Sequence, residues 1–175
     1  MKKYILIYGV IAGLIVICSM ILGIVMSDGE GAASSQAIGF LIMFLAFTLI
    51  FFGTRKFRDQ EQGGVITFGK AFMVGAGIAA VAGVMYVIVW EIYLNISDYA
   101  FINDYAEKAI AKKEAAGVSG EELAKVKADM ADMVVKYGNP FFRIPVTFTE
   151  IFPVGLIVSL ISAFFLRFPK SNKAA

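Results

Sequence analysis

The sequence has no histidine, one cysteine and one tryptophan, and only 17% of its residues are charged. Each shortage removes a class of chemistry. Without histidine, the commonest metal ligand and the side chain best suited to moving protons near neutral pH are both missing, and serine-type triads cannot be assembled. A lone Cys18 forms no intramolecular disulfide and supplies no zinc-binding pair, and within an apolar run its thiol is inert. There is no G-x-x-x-x-G-K-[ST] phosphate loop, and Gly63-Gly64 reads as a turn. The formal charge of +2 is small, and the basic residues sit near the ends of apolar runs, which argues against a nucleic-acid partner. We expect no catalytic residue, no metal site and no cofactor.

What the sequence has is apolar length. Hydrophobic residues make up 59% of it, against roughly 45–50% in soluble domains, and the mean hydropathy is +0.76. Both figures place the chain in a membrane. Apolar runs cover residues 4–26, 37–54, 69–96 and 142–168, and a helix needs about 20 residues to cross the hydrocarbon layer. The run at 37–54 is close to the minimum. Lys2 and Lys3 ahead of the first run imitate a signal peptide. That run exceeds the roughly 7–15 residues of a signal core, and no A-x-A cleavage motif follows it. We read it as an uncleaved span.

Residues 98–139 form the one long polar segment, read as two helices joined at 115–120. Phe101, Ile102, Tyr105, Ala109 and Ile110 mark one face of the first. Leu123, Val126, Met130, Met133, Val134 and Tyr137, spaced by three and four, mark the second. Ser119 and Glu122 have the spacing of a capping box, and Gly138 with Pro140 signals a stop. The expected fold class is therefore all-α: an integral membrane bundle of four transmembrane helices, one domain over 1–175, with an amphipathic helical hairpin between the third and fourth spans.

Small residues recur at every fourth position along two spans: Ala71, Gly75, Ala79 and Gly83 in the third, and Gly155, Ser159 and Ala163 in the fourth. Such rows let helices approach closely. Gly9 and Gly13 have the same spacing in the first span. Tyr86, Trp90 and Tyr93 suit the membrane–water interface. Because Lys and Arg concentrate on the cytoplasmic side, Lys2, Lys3, Arg55, Lys56, Arg58, Lys70, Arg167, Lys170 and Lys173 favour both termini inside. The polar segment then lies outside, and Glu91 and Glu150 fall in the outer half of the membrane.

Those two glutamates are the costly residues, since a carboxylate within a span needs water, a counter-charge or a polar neighbour. Arg143 and Lys70 are the possible partners, although Lys70 is expected near the inner surface, out of reach. Arg143 and Glu150 share a helix face, about 10.5 Å apart along the axis, too far for a direct pair without bending or a bridging water. Pro145 and Pro153 are expected to bend this helix and to leave a carbonyl free beside Glu150. Glu91, Arg143, Thr147 and Glu150 form the candidate polar site. One reading has Glu150 held by a neighbouring helix or by Thr147 and Thr149, fixing the register of the bundle. Another has the glutamates lining a polar cavity for a proton, cation or amine. A third has Glu150 reaching the interface beside lipid.

The stretch I-T-F-G-K-A-F at 66–72, with E-I-F-P-V-G-L-I-V-S-L-I-S-A from Glu150 onward, resembles the domain-of-unknown-function 4199 family of small bacterial membrane proteins. The likeness covers nearly the whole chain. It implies a bacterial inner-membrane protein with no assigned activity, and it places weight on Phe68, Gly69, Lys70, Phe72, Glu150 and Pro153. Two functions stay open. One is a non-enzymatic structural, assembly or interaction protein, bound by membrane lipids and by a second copy or another membrane protein. The other is a small proton- or cation-linked transporter or channel component using Glu91 and Glu150.

Overall fold

The structure, a computed structural model, describes residues 1–26 and 32–168, with side chains outside 22–26 and 32–38. Asp28, Glu30, Lys170 and Lys173 lie outside the described residues. Among those described there are six α-helices and no strand: α1 Lys2–Met26, α2 Ala32–Glu61, α3 Phe68–Ile96, α4 Ala100–Ala115, α5 Gly120–Tyr137 and α6 Pro140–Leu166. Four segments are long and apolar enough to cross a membrane, at Lys2–Ile21, Gly39–Glu61, Phe68–Ile96 and Pro140–Leu166. The chain divides into two compact units, Met1–Val87 with Phe148–Ala175, and Ile88–Thr147. The divisions fall inside α3 and α6.

In the first unit α3 is the helix that the other three approach. A Cβ on Gly75 would stand 2.8 Å from Ser159 Oγ of α6 and 2.9 Å from Ile50 of α2. A Cβ on Gly155 would stand 2.5 Å from Ala79 Cβ, and one on Gly83 would meet the Phe148 ring at 2.9 Å. The small-residue rows of α3 and α6 are thus seated on each other, at separations that exclude even a methyl group. From the other side, α1 brings Gly9 against Val81. Phe47, Ile50, Val74, Ile78 and Ala79 fill the space between and are fully buried. Leu6, Leu14, Phe40, Leu45, Met73, Val84 and Ile157 point outward. In water this would be a liability; in a bilayer it is the lipid-facing surface.

α2 continues past the apolar run that ends at residue 54, as far as Glu61. Charge does not stop a helix. Arg55 and Asp59 pair at i,i+4 across 3.7 Å, and the chain turns only at Gly63, which takes a left-handed φ of 62°. Arg58 is buried. Its Nε donates to Asp59 Oδ1 at 2.8 Å, and its Nη1 donates to the carbonyls of Leu166 and Phe168, each at 3.4 Å. A cation here satisfies carbonyls left unpaired at the end of α6 and offsets the negative pole of that helix. Tyr4 Oη likewise donates to Gln60 Oε1 at 3.0 Å, joining the start of α1 to the end of α2.

In the second unit α4 and α5 are in contact, and the Lys127–Glu114 ion pair links them at 2.9 Å. Both partners are about half exposed, so the pair contributes little. α4 ends in a Schellman arrangement: Val118 N–H donates to Lys113 O and Gly117 N–H to Glu114 O, with Gly117 at φ 85°. Ile102 and Ala106 are its buried residues. Leu123, Val126, Met130, Met133 and Val134 of α5 are half-buried and Tyr137 is buried, the face that the spacing indicates. The capping box does not form. Ser119 precedes α5, but its side chain makes no capping bond, because Gly120 follows at φ 62°, outside helical range. Gly138 keeps a right-handed helical conformation. The break comes from Asn139 and Pro140: the Asn139 side-chain oxygen accepts from Phe141 N–H at 2.9 Å, an N-cap with proline at the first helical position of α6. α6 then runs uninterrupted through Pro145 and Pro153.

Candidate polar site

Arg143 enters on the first turn of α6 and is 2% exposed. Its Nε donates to Glu91 Oε1 at 2.7 Å and its Nη2 to Glu91 Oε2 at 2.6 Å. This is a bidentate fork, the strongest geometry an arginine and a carboxylate can adopt. Nη1 donates to the Tyr137 carbonyl at 2.8 Å and makes a longer contact to that of Gly138 at 3.4 Å. The guanidinium carbon lies 5.1 Å from the Tyr99 ring centroid and 5.9 Å from that of Tyr137, within cation–π range. One side chain therefore joins the end of α3, the turn before α4, the end of α5 and the start of α6.

An aromatic layer backs it. Trp90 Nε1 donates to Tyr137 Oη at 2.8 Å. The Trp90 ring packs edge-on against Phe101 at 4.8 Å and stacks with Tyr93 at 5.4 Å. Tyr99 reaches the guanidinium from a strained turn, since Asp98 and Tyr99 both hold positive φ, 49° and 58°. Two consecutive left-handed non-glycine residues cost roughly 1–2 kcal/mol each, and such outliers persist only where the surroundings over-determine them. Here the Tyr99 N–H bond to Leu94 O at 3.0 Å and the ring contact with Arg143 hold the turn.

The four candidate residues are placed differently. Glu91 and Arg143 meet directly. Thr147, in the same unit, is buried, and its hydroxyl has no partner among the described residues. Glu150 belongs to the other unit, where it is exposed on α6 and makes no hydrogen bond or ion pair with a described residue. Lys70 Nζ donates to Gln62 Oε1 at 2.7 Å.

The residues emphasised by resemblance sit at helix positions with local roles. Phe68 and Phe72 stack at 6.4 Å, and Lys70 N–H donates to Thr67 Oγ1 at 3.4 Å at the start of α3. A Cβ on Gly69 would meet nothing within 4 Å, and Pro153 is exposed.

Other residues that hold the fold, Asn139, Tyr99 and Arg58 among them, are not candidate site residues in the sequence. Asn139 before Pro140 carried a start signal for α6. The Tyr99 strain and the Arg58 cap had no local signal, because both depend on residues distant in the chain.

Among the described residues, an all-α arrangement with four helices long and apolar enough to cross a membrane is that of a membrane protein. The chain belongs to the family described as Protein of unknown function (DUF4199), whose model matches residues 7–167. No curated protein and no solved structure matches the chain.

Proposed function

We propose that this chain is a non-enzymatic assembly or interaction protein of the bacterial inner membrane, with both termini cytoplasmic. In this reading α4 and α5 form an extracytoplasmic helical hairpin that meets another membrane protein or a second copy. The observation that carries it is the Arg143 clamp. Its guanidinium is spent on Glu91, a backbone carbonyl and two tyrosine rings, so it serves to fix the position of α4 and α5 and not to engage a substrate. Holding two strained residues for that purpose is an expense justified by a surface that must be presented in one orientation. The small-residue rows, by contrast, are consumed in packing within the chain, which leaves the outward side chains of α4 and α5, Tyr105 and Val135 among them, for contact.

The test is cysteine crosslinking in native membranes on a Cys18→Ser background, with Tyr105→Cys and Val135→Cys introduced separately. A discrete adduct from either position, of constant mass, supports the reading; monomer alone from both counts against it. A second reading, a small proton- or cation-linked transporter, is favoured by the exposure of Glu150 on a membrane-spanning helix without a described partner. Both oxygens of Glu91 are engaged by Arg143, so the transport chemistry would rest on Glu150. Proton and solute flux into proteoliposomes with Glu150→Gln decides it: flux equal to that of the unaltered chain ends the transport reading.

A further inference from the structure

We propose that an open apolar groove between the start of α3 and the end of α6 holds an acyl chain of one anionic phospholipid, whose phosphate is taken by Arg167. The groove has a volume of about 360 Å³ and is lined by Phe68, Leu160, Ile161, Phe164 and Phe165. Every lining side chain is hydrocarbon, so nothing there can orient a polar ligand, while each methylene removed from water contributes about 0.8 kcal/mol. Specificity has to come from the rim. Arg167 lies there: its guanidinium carbon is 4.4 Å from the Phe164 ring and 4.9 Å from that of Phe168. The two rings hold the cation beside a residue that lines the groove. Arg167 makes no ion pair with a described residue, whereas Arg55 and Arg58 share Asp59. Its planar donors remain available, and a phosphate accepts them in a fork.

Charge selects the lipid class. Asp59 is committed to Arg55 and Arg58, whereas Arg167 has no described carboxylate partner. A zwitterionic headgroup brings an ammonium beside the Arg167 cation, which repels it, while an anionic headgroup does not carry that burden. The volume suits a flexible chain lying along α6 and not a docked helix, which would cover far more than five side chains.

The full chain is reconstituted with Ile161→Trp and titrated with brominated phosphatidylglycerol against brominated phosphatidylcholine, reading quenching beyond that of Trp90. The expected result is a preference of about fivefold for the anionic lipid at residue 161, the factor one basic residue at a membrane surface supplies. Arg167→Gln reduces it to near one, and Leu14→Trp on the exposed side of α1 shows no preference in either background. Equal quenching by both lipids at residue 161, or a preference that survives Arg167→Gln, overturns the proposal. Should Ile161→Trp fail to fold, native mass spectrometry of the otherwise unaltered chain reads the same question. One retained phosphatidylglycerol lost on Arg167→Gln supports the site, and identical retention overturns it.

Discussion

Arg143 of α6 grips both carboxylate oxygens of Glu91 of α3, at 2.7 and 2.6 Å, across 52 positions of sequence. The arginine is almost wholly buried and the glutamate side chain is 21% exposed. Removing one member of such a pair strands the other without its counter-charge. Arg143→Gln and Glu91→Gln are each expected to cost about 3 kcal/mol in unfolding from mixed micelles. The double variant Glu91→Leu with Arg143→Leu should recover part of that loss, because no charge is left unpaired. A double variant that loses the full sum of the two singles would show that the pair is not coupled.

The seating of α6 on α3 is testable by adding and removing one methyl. Gly155→Ala places a Cβ 2.5 Å from that of Ala79, and overpacking of this kind costs about 1–3 kcal/mol. Ala79→Gly in the same chain should restore most of the stability. Failure of the second substitution to rescue the first would place the clash elsewhere.

The turn before α4 should gain from glycine. Asp98 holds φ at 49°, a conformation glycine adopts freely, so Asp98→Gly is expected to raise stability by about 0.5–1 kcal/mol. Tyr99→Gly relieves similar strain but deletes the ring beneath Arg143, and it should be neutral or destabilising. A thermal shift of the same sign and size for both would argue that the ring contributes nothing.

Glu150 should behave as a residue without a structural partner. Glu150→Gln leaves no described group unsatisfied, and its effect on unfolding is expected to stay within about 0.5 kcal/mol. A loss of several kcal/mol would reveal a contact that holds the fold.

Helix type and approximate extent were legible wherever apolar periodicity was strong. The face of α5 from Leu123 to Tyr137 could be named from spacing alone, because amphipathicity is a property of one helix and its solvent. Boundaries were less legible where charge and helix overlap, as between residues 54 and 61, since the apolar run ended before the hydrogen-bonded helix did. The polar site was half legible. Glu91, Arg143, Thr147 and Glu150 stand out in the sequence as expensive residues in or near spans, but the pairing of Glu91 with Arg143 does not, and neither does the part Tyr99 and Tyr137 take in it.

What the sequence by itself determined is the solvent and the architecture. Four apolar stretches commit the backbone to helices, because hydrocarbon offers no partner for an unpaired amide. The small-residue spacings mark where those helices come close. Which carboxylate receives the arginine was decided by tertiary structure. On α6 alone Arg143 and Glu150 share a face, and nothing local favours Glu91. The choice follows once α5 ends at Tyr137 and Asn139 caps α6, putting Arg143 where Glu91, the Tyr137 carbonyl and the Tyr99 ring converge. A single helix fixes directions around its own axis; only the packing of several fixes distances between them.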